Sequence, residues 1–406
     1  MTTIGRAPRA DRGATTAAPD HALDEAFRDE QRSWLRGHPP PPATVVSTPE
    51  QADLLRVWHR TLHAGRWIGV NWPVEYGGRG ASLAQLAIYH EELARVGAPS
   101  ILGRVGVTLV GPTLMAHGTD AQRWRWLPRI VAGDDVWCQL FSEPDAGSDL
   151  AALSTRAARR GDTYVVTGQK VWSSHARWSN LGLALVRTDP TAARHHGISM
   201  LAIPMTAKGV TVRPLRQITG DSEFNEVFLD EVEVPLGHRI GPEHEGWRVA
   251  NTTLATERGA TFVWKEHLLQ EVAVNDLWTT CRREQRLADP VMRQALTGAW
   301  IDTKIFGLHN ARTRARLGRG EPPGDESSLV KLWWAGTSQR LADTAVSALG
   351  VDALLRRENP DRVDPAPWPQ RQLATRANSI MGGTSEIQRS IVGERMLGLP
   401  REPRSR

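Results

Sequence analysis

The sequence predicts an α+β protein in which a helical unit, a β unit and a second helical unit follow one another along the chain. Three observations predict it. Apolar residues recur at helical spacing up to about residue 135, and short β-branched runs separated by turn residues continue to about residue 243. Helical spacing then returns for the remainder. A chain of 406 residues is also too long for one ordinary core, so two or three packed units are expected. We place the divisions at 1–20, 21–135, 136–243 and 244–406.

Residues 1–20 are rich in Ala, Thr, Arg and Pro and read as a disordered extension. Asp11, Asp20 and the lack of an amphipathic pattern speak against a transit peptide. In the first helical unit, Thr48-Pro49-Glu50-Gln51 forms a capping box with proline at the first helical position. Leu54, Trp58 and Leu62 follow at i, i+4 and i+8, and Gly65 can close that helix. Leu83, Leu86, Ala87, His90, Leu93 and Ala94 repeat the spacing before Gly97 and Pro99 break it.

Strand-like runs occur at 164–167, 181–187, 198–203, 210–212 and 226–234. Arg160-Gly161-Asp162 and Asp189-Pro190 mark turns between them, and the spacing suggests a compact antiparallel sheet or barrel. Beyond Glu245, helical patterning runs through Leu268, Leu269 and Val272, then 299–308, 330–349 and a terminal helix. Residues 321–324 and 359–369 read as loops. Leu332, Ala335, Leu341, Ala345 and Leu349 form a broad apolar stripe suited to packing against the bundle of another chain.

Composition narrows the functional classes. The chain is 40% hydrophobic and 23% charged, with no apolar run of membrane-spanning length. Cys138 and Cys281 are its only cysteines, too few for a disulfide framework or metal cluster, which fits a reducing cytoplasm. The net charge of +5 comes from interleaved acids and bases, without the basic stripe that nucleic-acid binding requires. A mildly basic surface suits a polyanionic substrate.

Three strings carry candidate chemistry. Near the C-terminus, Gly382-Gly383-Thr384-Ser385-Glu386 precedes a helix through Ile387, Ile391, Val392 and Met396. The glycines permit close backbone approach, and the hydroxyls cap a helix whose N–H groups accept oxygen ligands. Trp137-Cys-Gln-Leu-Phe-Ser-Glu-Pro-Asp-Ala-Gly-Ser-Asp149 is a strand entering a loop rich in hydroxyls and backbone donors, able to wrap a ring edge and a pyrophosphate. Gly168-Gln-Lys-Val-Trp-Ser-Ser174 ends a strand with an aromatic ring and two hydroxyls.

Together these strings resemble those of the flavin-dependent acyl-CoA dehydrogenase family, from about residue 21 to 401. The resemblance implies a helical domain, a β-barrel-like domain and a C-terminal four-helix bundle around FAD. It places Gln139, Phe141 and Ser142 against the flavin, with Ser148 between its phosphates and the substrate. Trp172 would shield one ring face, Ser174 would donate near flavin N5, and Thr384 and Glu386 would complete the cofactor site. Asp145 stands where many members have glycine.

The family's reaction takes a proton from Cα of an acyl-CoA thioester and a hydride from Cβ, so it needs a desolvated carboxylate base. One branch carries that Glu two residues before the terminal Thr, where this chain has Gly382. A second, bacterial branch implies Glu257, directly before Arg258, with Arg258 approaching coenzyme A. The Gly382 N–H would then donate to the thioester carbonyl. The resemblance further implies an electron-transfer flavoprotein partner and a homodimer or homotetramer. The family's Arg-x-x-Phe-Gly string is absent from 281–290, and Ala348-Leu-Gly-Val351 lacks a glycine pair, so Arg282 or Arg283 would have to supply the cross-subunit pyrophosphate contact. Two alternatives stand beside the dehydrogenase. One is an oxidase, monooxygenase or dehydrogenase acting on carrier-protein thioesters; the other is a non-catalytic or half-site subunit of a heteromer.

Overall fold

The computed structural model describes residues 21–42, 45–257, 260–319, 324–354 and 368–401. The 1–20 extension lies outside them. Five helices open the chain: α1 (His21–Gly37), α2 (Pro49–Ala64), α3 (Leu83–Arg95), α4 (Gly111–His117) and α5 (Asp120–Ala132). The Thr48 box forms as expected, with Gln51 closing it onto the Thr48 N–H. Ser82 and Thr119 make the same box at α3 and α5. The buried face of α2 is Ala52, Leu55, Trp58, His59 and Leu62. Leu54 is 38% exposed, because the 3.6-residue repeat takes Leu55, one position on, into the stripe with Trp58 and Leu62. Gly65 caps the helix, and a Cβ there would lie 2.5 Å from the Trp34 indole.

A π turn, Gly106–Val110, leads into α4. Pro112 has no N–H to return to the preceding turn, and the wider turn absorbs that missing bond.

Eight strands follow: β1 (Trp137–Leu140), β2 (Arg156–Arg160), β3 (Thr163–Lys170), β4 (Leu181–Arg187), β5 (Ile198–Pro204), β6 (Val210–Pro214), β7 (Asn225–Pro235) and β8 (Arg239–Ile240). They form one sheet in the order β6-β7-β3-β2-β4-β5-β8, with β1 attached to β4. The expected antiparallel sheet is in fact mixed, since β1 and β2 each run parallel to β4. The β2–β3 hairpin supplies the crossover that a parallel β1–β4 pair requires. Arginine-rich β2 had no apolar alternation to announce it; its pairing with β3 recruits it.

The sheet folds over a core of its own. Tyr164, Val166, Val227, Val232 and Val234 meet Ala184, Val186, Leu201 and Ile203. Residues of alternate parity, Trp137, Leu183, Leu185, Met200 and Ala202, join the core shared with the helices. Strand alternation thus fastens the sheet to the helical layer.

The C-terminal part contains α6 (Gly246–Glu257), α7 (Ala260–Arg283), α8 (Pro290–Gly318), α9 (Glu326–Leu349), α10 (Trp368–Thr375) and α11 (Ser385–Ile391), the last continuing into a π turn, Val392–Met396. Val274, Leu277, Leu296, Ala299, Leu341, Ala345 and Trp368 make its core. The stripe assigned to another chain's bundle is therefore largely used within this one: Ala335, Leu341 and Ala345 are buried by neighbouring helices. Trp368 and Pro369, read as loop, begin α10, where burial of the Trp368 ring holds the helix start. The rest of 359–369 lies outside the described residues, and of 321–324 only Gly324 is described. Among the described residues, no helix is long and apolar enough to cross a membrane.

A Cβ on Gly111 would sit 2.0 Å from the Trp72 ring, whereas one on Gly298 in α8 would meet nothing within 4 Å. Gly111→Ala should therefore destabilise by about 1–3 kcal/mol through overpacking. Gly298→Ala should stabilise by about 0.5–1 kcal/mol through helix propensity. Urea midpoints of the two variants check this pair of opposite signs.

Candidate functional site

Numbered in chain order, the first two strings, Trp137–Asp149 and Gly168–Ser174, meet side by side, and Gly382–Glu386 is the third. The Val171 N–H donates to the Ser142 carbonyl at 2.9 Å. Lys170 Nζ donates to the Phe141 carbonyl at 3.1 Å and to Glu143 Oε1 at 2.8 Å. Lys170 is fully buried and the Glu143 side chain only 5% exposed. Glu143 also accepts from the Ser154 N–H and hydroxyl and from the Thr155 N–H, at 2.7, 2.8 and 2.9 Å. Burial alone would raise its carboxyl pKa; the Lys170 charge and these hydrogen bonds outweigh that and hold it at about 2.

Gly168 makes the knot possible. Its φ is +158°, and a Cβ would lie 2.4 Å from Thr155 Oγ1. Only glycine lets β3 come this close to the chain segment that donates to Glu143. Sequence reasoning missed Glu143 and Lys170, although both lie inside the quoted strings. Their signal was an acid in one string and a base in the other, both strings being expected against the same cofactor.

Beyond β3 the chain kinks. Trp172 and His175 both adopt left-handed backbone, φ +60°, at a cost of about 1–3 kcal/mol each. The kink is pinned to the start of β7 by reciprocal Ser173–Asn225 backbone bonds at 3.0 and 3.1 Å, and by the His175 N–H to the Glu223 carbonyl at 3.0 Å. Held this way, the Trp172 ring is 61% exposed and touches Phe224 edge-on. Ser174 follows it, half-buried. Phe141 is buried, Gln139 and Ser142 are half-buried, and Ser148 is exposed in the loop after β1.

The third string is organised separately. Gly382 and Gly383 have φ of +65° and +90°. Thr384 Oγ1 caps α11 by accepting the Ile387 N–H at 3.2 Å. Glu386 is exposed, its carboxyl pKa lowered by its own backbone N–H and by Thr384. Buried Lys331 on α9 donates to the Asn378 and Gly383 carbonyls, both at 2.8 Å. Gln388, also buried, donates to the Gly382 carbonyl at 3.1 Å. The expected apolar face of this helix is not covered: Ile387 and Met396 are exposed, and Gln388 takes the inner position because it anchors the glycine carbonyls. Among the described residues, no hydrogen bond or ion pair runs directly from Gly382–Glu386 to the other two strings. The neighbouring α10 is tied to the β6–β7 connection, where Gln370 Nε2 donates to Asp221 Oδ2 at 3.1 Å.

Glu257 is the last residue of α6; its side chain and Arg258 lie outside the described part of the structure. The helix itself is well fixed. Thr253 Oγ1 lies 2.8 Å from Thr113 Oγ1, and Thr252 Oγ1 lies 2.7 Å from His117 Nε2. These pairs run α6 antiparallel to α4, so its C-terminal end points past Thr113 toward the π turn, which packs on α6 and also touches β1. The two segments that depart from the family pattern share one end of the bundle. Arg282 and Arg283 are exposed at the end of α7, and a Cβ on Gly350 would face only Arg286 Nη1, at 3.9 Å.

An exposed aromatic ring beside hydroxyls, next to an open loop of backbone donors, fits a flat conjugated cofactor with a phosphate tail. Residues 22–134, 138–232 and 244–397 match, in turn, the N-terminal, middle and C-terminal domains of acyl-CoA dehydrogenase. The chain belongs to the acyl-CoA dehydrogenase family. It is 38% identical over 385 residues to acyl-CoA dehydrogenase IpdE1 of Mycobacterium tuberculosis strain H37Rv, covering 93% of this chain and 98% of that protein. Its fold is similar to the Tcur3481-Tcur3483 steroid ACAD, with a TM-score of 0.83, 29% identity and coverage of 95% and 100%. It is also similar to a chain of the ChsE4-ChsE5 complex from Mycobacterium tuberculosis, with a TM-score of 0.78, 29% identity and coverage of 95% and 99%. Acyl-CoA dehydrogenases are flavin-dependent oxidoreductases, and this member is an enzyme of that kind.

Removing the ammonium by Lys170→Met leaves a buried, uncompensated carboxylate. It should cost about 3–5 kcal/mol in urea unfolding. The acid side gives a second readout. The Glu143 pKa lies below its ordinary 4.5, at about 2 in the fold, so the stability it contributes above pH 4.5 is lost as pH falls toward 2. Glu143→Gln should be less stable than wild type at pH 5 and should lose less on going to pH 3.

Proposed function

We propose that this chain catalyses FAD-dependent α,β-dehydrogenation of an acyl-CoA thioester to the trans-2-enoyl thioester and passes its electrons to an electron-transfer flavoprotein. The observation that carries the reading is the joining of the Trp137–Asp149 and Gly168–Ser174 strings by the Glu143–Lys170 knot, with the π turn touching both β1 and α6, the helix whose last residue is Glu257. Bound FAD would supply the hydride acceptor for Cβ–H.

The chain's own residues do the rest. Phe141, Ser142 and Trp172 hold the ring, and Ser174 donates a hydrogen bond at its N5 edge. Gln139 lies along the same strand. Ser148 stands between phosphates and substrate, and Thr384 and Glu386 contribute from the third string. Glu257 takes the Cα proton. The Gly382 N–H, on a loop fixed by Lys331 and Gln388, donates to the thioester carbonyl and so acidifies Cα. Arg258 meets the coenzyme A part. Similarity to a steroid ACAD makes polycyclic acyl groups the first substrates to try.

The protein should purify yellow, with FAD released on denaturation. Glu257→Gln should slow flavin bleaching by acyl-CoA by orders of magnitude while binding changes little; bleaching at the wild-type rate would remove Glu257 from the mechanism. Gly382→Glu in that background should restore part of the rate at most, because a non-glycine residue at φ +65° is strained by about 1–3 kcal/mol.

A second reading concerns assembly. Both family-divergent segments lie at one exposed end of the bundle, and a structural relative is a complex of two named chains. We propose that a related chain completes the flavin site there, with the homo-oligomer as the alternative. Light scattering with flavin quantitation separates them. An assembly of this chain alone carrying less than one flavin per subunit, filled on adding the related chain, supports the heteromer; a fully loaded homo-oligomer refutes it.

A further inference from the structure

The sheet changes register where the Gly168–Ser174 string ends. β3 pairs with β7 as far as Lys170 opposite Val227. Beyond it, Ser173 and Asn225 exchange backbone N–H···O bonds at 3.0 and 3.1 Å. Between these two pairs one strand advances three residues and the other two, which makes a β-bulge. The Val171 N–H has left the ladder for the Ser142 carbonyl, and Trp172 takes up the slack at φ +60°. A bulge re-aims a side chain at the expense of ladder hydrogen bonds. Here it turns the Trp172 ring outward, 61% exposed.

One side chain replaces what the ladder lost. Asn225 is buried, and its Nδ2 donates to the Ser173 carbonyl at 2.9 Å and to the Glu223 carbonyl at 3.0 Å. Each carbonyl already accepts one backbone N–H, from Asn225 and from His175 respectively. The amide therefore fills the second lone pair of both. The position calls for a short side chain with two donors. A carboxylate would oppose two carbonyl oxygens, and an alkyl group would leave each with a single bond. The tie also encloses both rings of the strand end. Ser173 follows Trp172, while Glu223 and Asn225 flank Phe224, whose ring meets Trp172 edge-on with centroids 6.0 Å apart.

We infer that Asn225 is the positioning residue of the flavin face: its amide locks the bulge, and so holds the Trp172 ring outward against Phe224 with Ser174 beside it. This rests on the flavin reading of the same strand end. Without the tie, left-handed Trp172 relaxes toward ordinary backbone, and the ring leaves the place where a flat cofactor can lie on it.

Two measurements on the full chain test the inference. In protein labelled with 5-fluorotryptophan, loss of a signal in Trp172→Phe identifies the fluorine resonance of residue 172. Asn225→Ala should shift, split or broaden that resonance while the other tryptophan signals hold. FAD titration then reads the consequence. Asn225→Ala should weaken FAD binding about tenfold when Trp172 is present, and by less than about twofold in a Trp172→Ala background, because the two residues act as one unit. Asn225→Ser keeps a hydroxyl donor and should retain part of the affinity; it carries both measurements if the Ala variant does not fold. An unmoved resonance, or equal weakening of FAD in both backgrounds, overturns the role of Asn225. Failure of the wild type to bind FAD removes the flavin reading instead, and the resonance of residue 172 still decides whether Asn225 holds the ring.

Discussion

The site depends on one buried ion pair. Lys170 and Glu143 are nearly inaccessible to water, and such a pair is tolerated only when its remaining hydrogen-bonding capacity is filled. Here Glu143 is filled by Ser154 and Thr155, and Lys170 by the Phe141 carbonyl. The knot thereby joins the end of β1, the approach to β2 and the end of β3. Remove it and the loop bearing Ser142 is no longer held against the strand end bearing Trp172.

Holding those two strings has a backbone cost. Trp172 and His175 occupy conformations that side-chain-bearing residues seldom adopt, and the bonds to Asn225 and Glu223 offset the strain. The result is a large aromatic ring turned outward beside Ser174, where a flat cofactor can lie against it. The third string solves the same problem differently. Its flexible glycines are immobilised by Lys331 and Gln388 through their carbonyls, which leaves the Gly382 N–H free of that anchoring. In both places a buried lysine orders a loop by donating to its backbone carbonyls.

The helical layers act as the frame. Tryptophans pack onto glycines at Gly65 and Gly111, so the helices approach without intervening side chains. The two threonine- and histidine-based links between α4 and α6 then set where α6 ends.

Much of this was written locally. The order helix, strand, helix, the Thr48 box, the strands at 181–187 and 198–203 and the three strings all depend on neighbours within a few residues, so the sequence by itself determined them. Membership of the acyl-CoA dehydrogenase family was legible for the same reason. Leu54 and the apolar face of α11 were misplaced because spacing tells which residues share a face, not what covers that face. Arginine-rich β2 became a strand only through its partner β3, and the sheet became mixed only through its crossover. Likewise Glu143 found Lys170, and Lys331 found the Gly383 carbonyl. Those encounters join residues tens of positions apart, and only the tertiary structure decided them, since burial and hydrogen-bond satisfaction belong to the assembled fold.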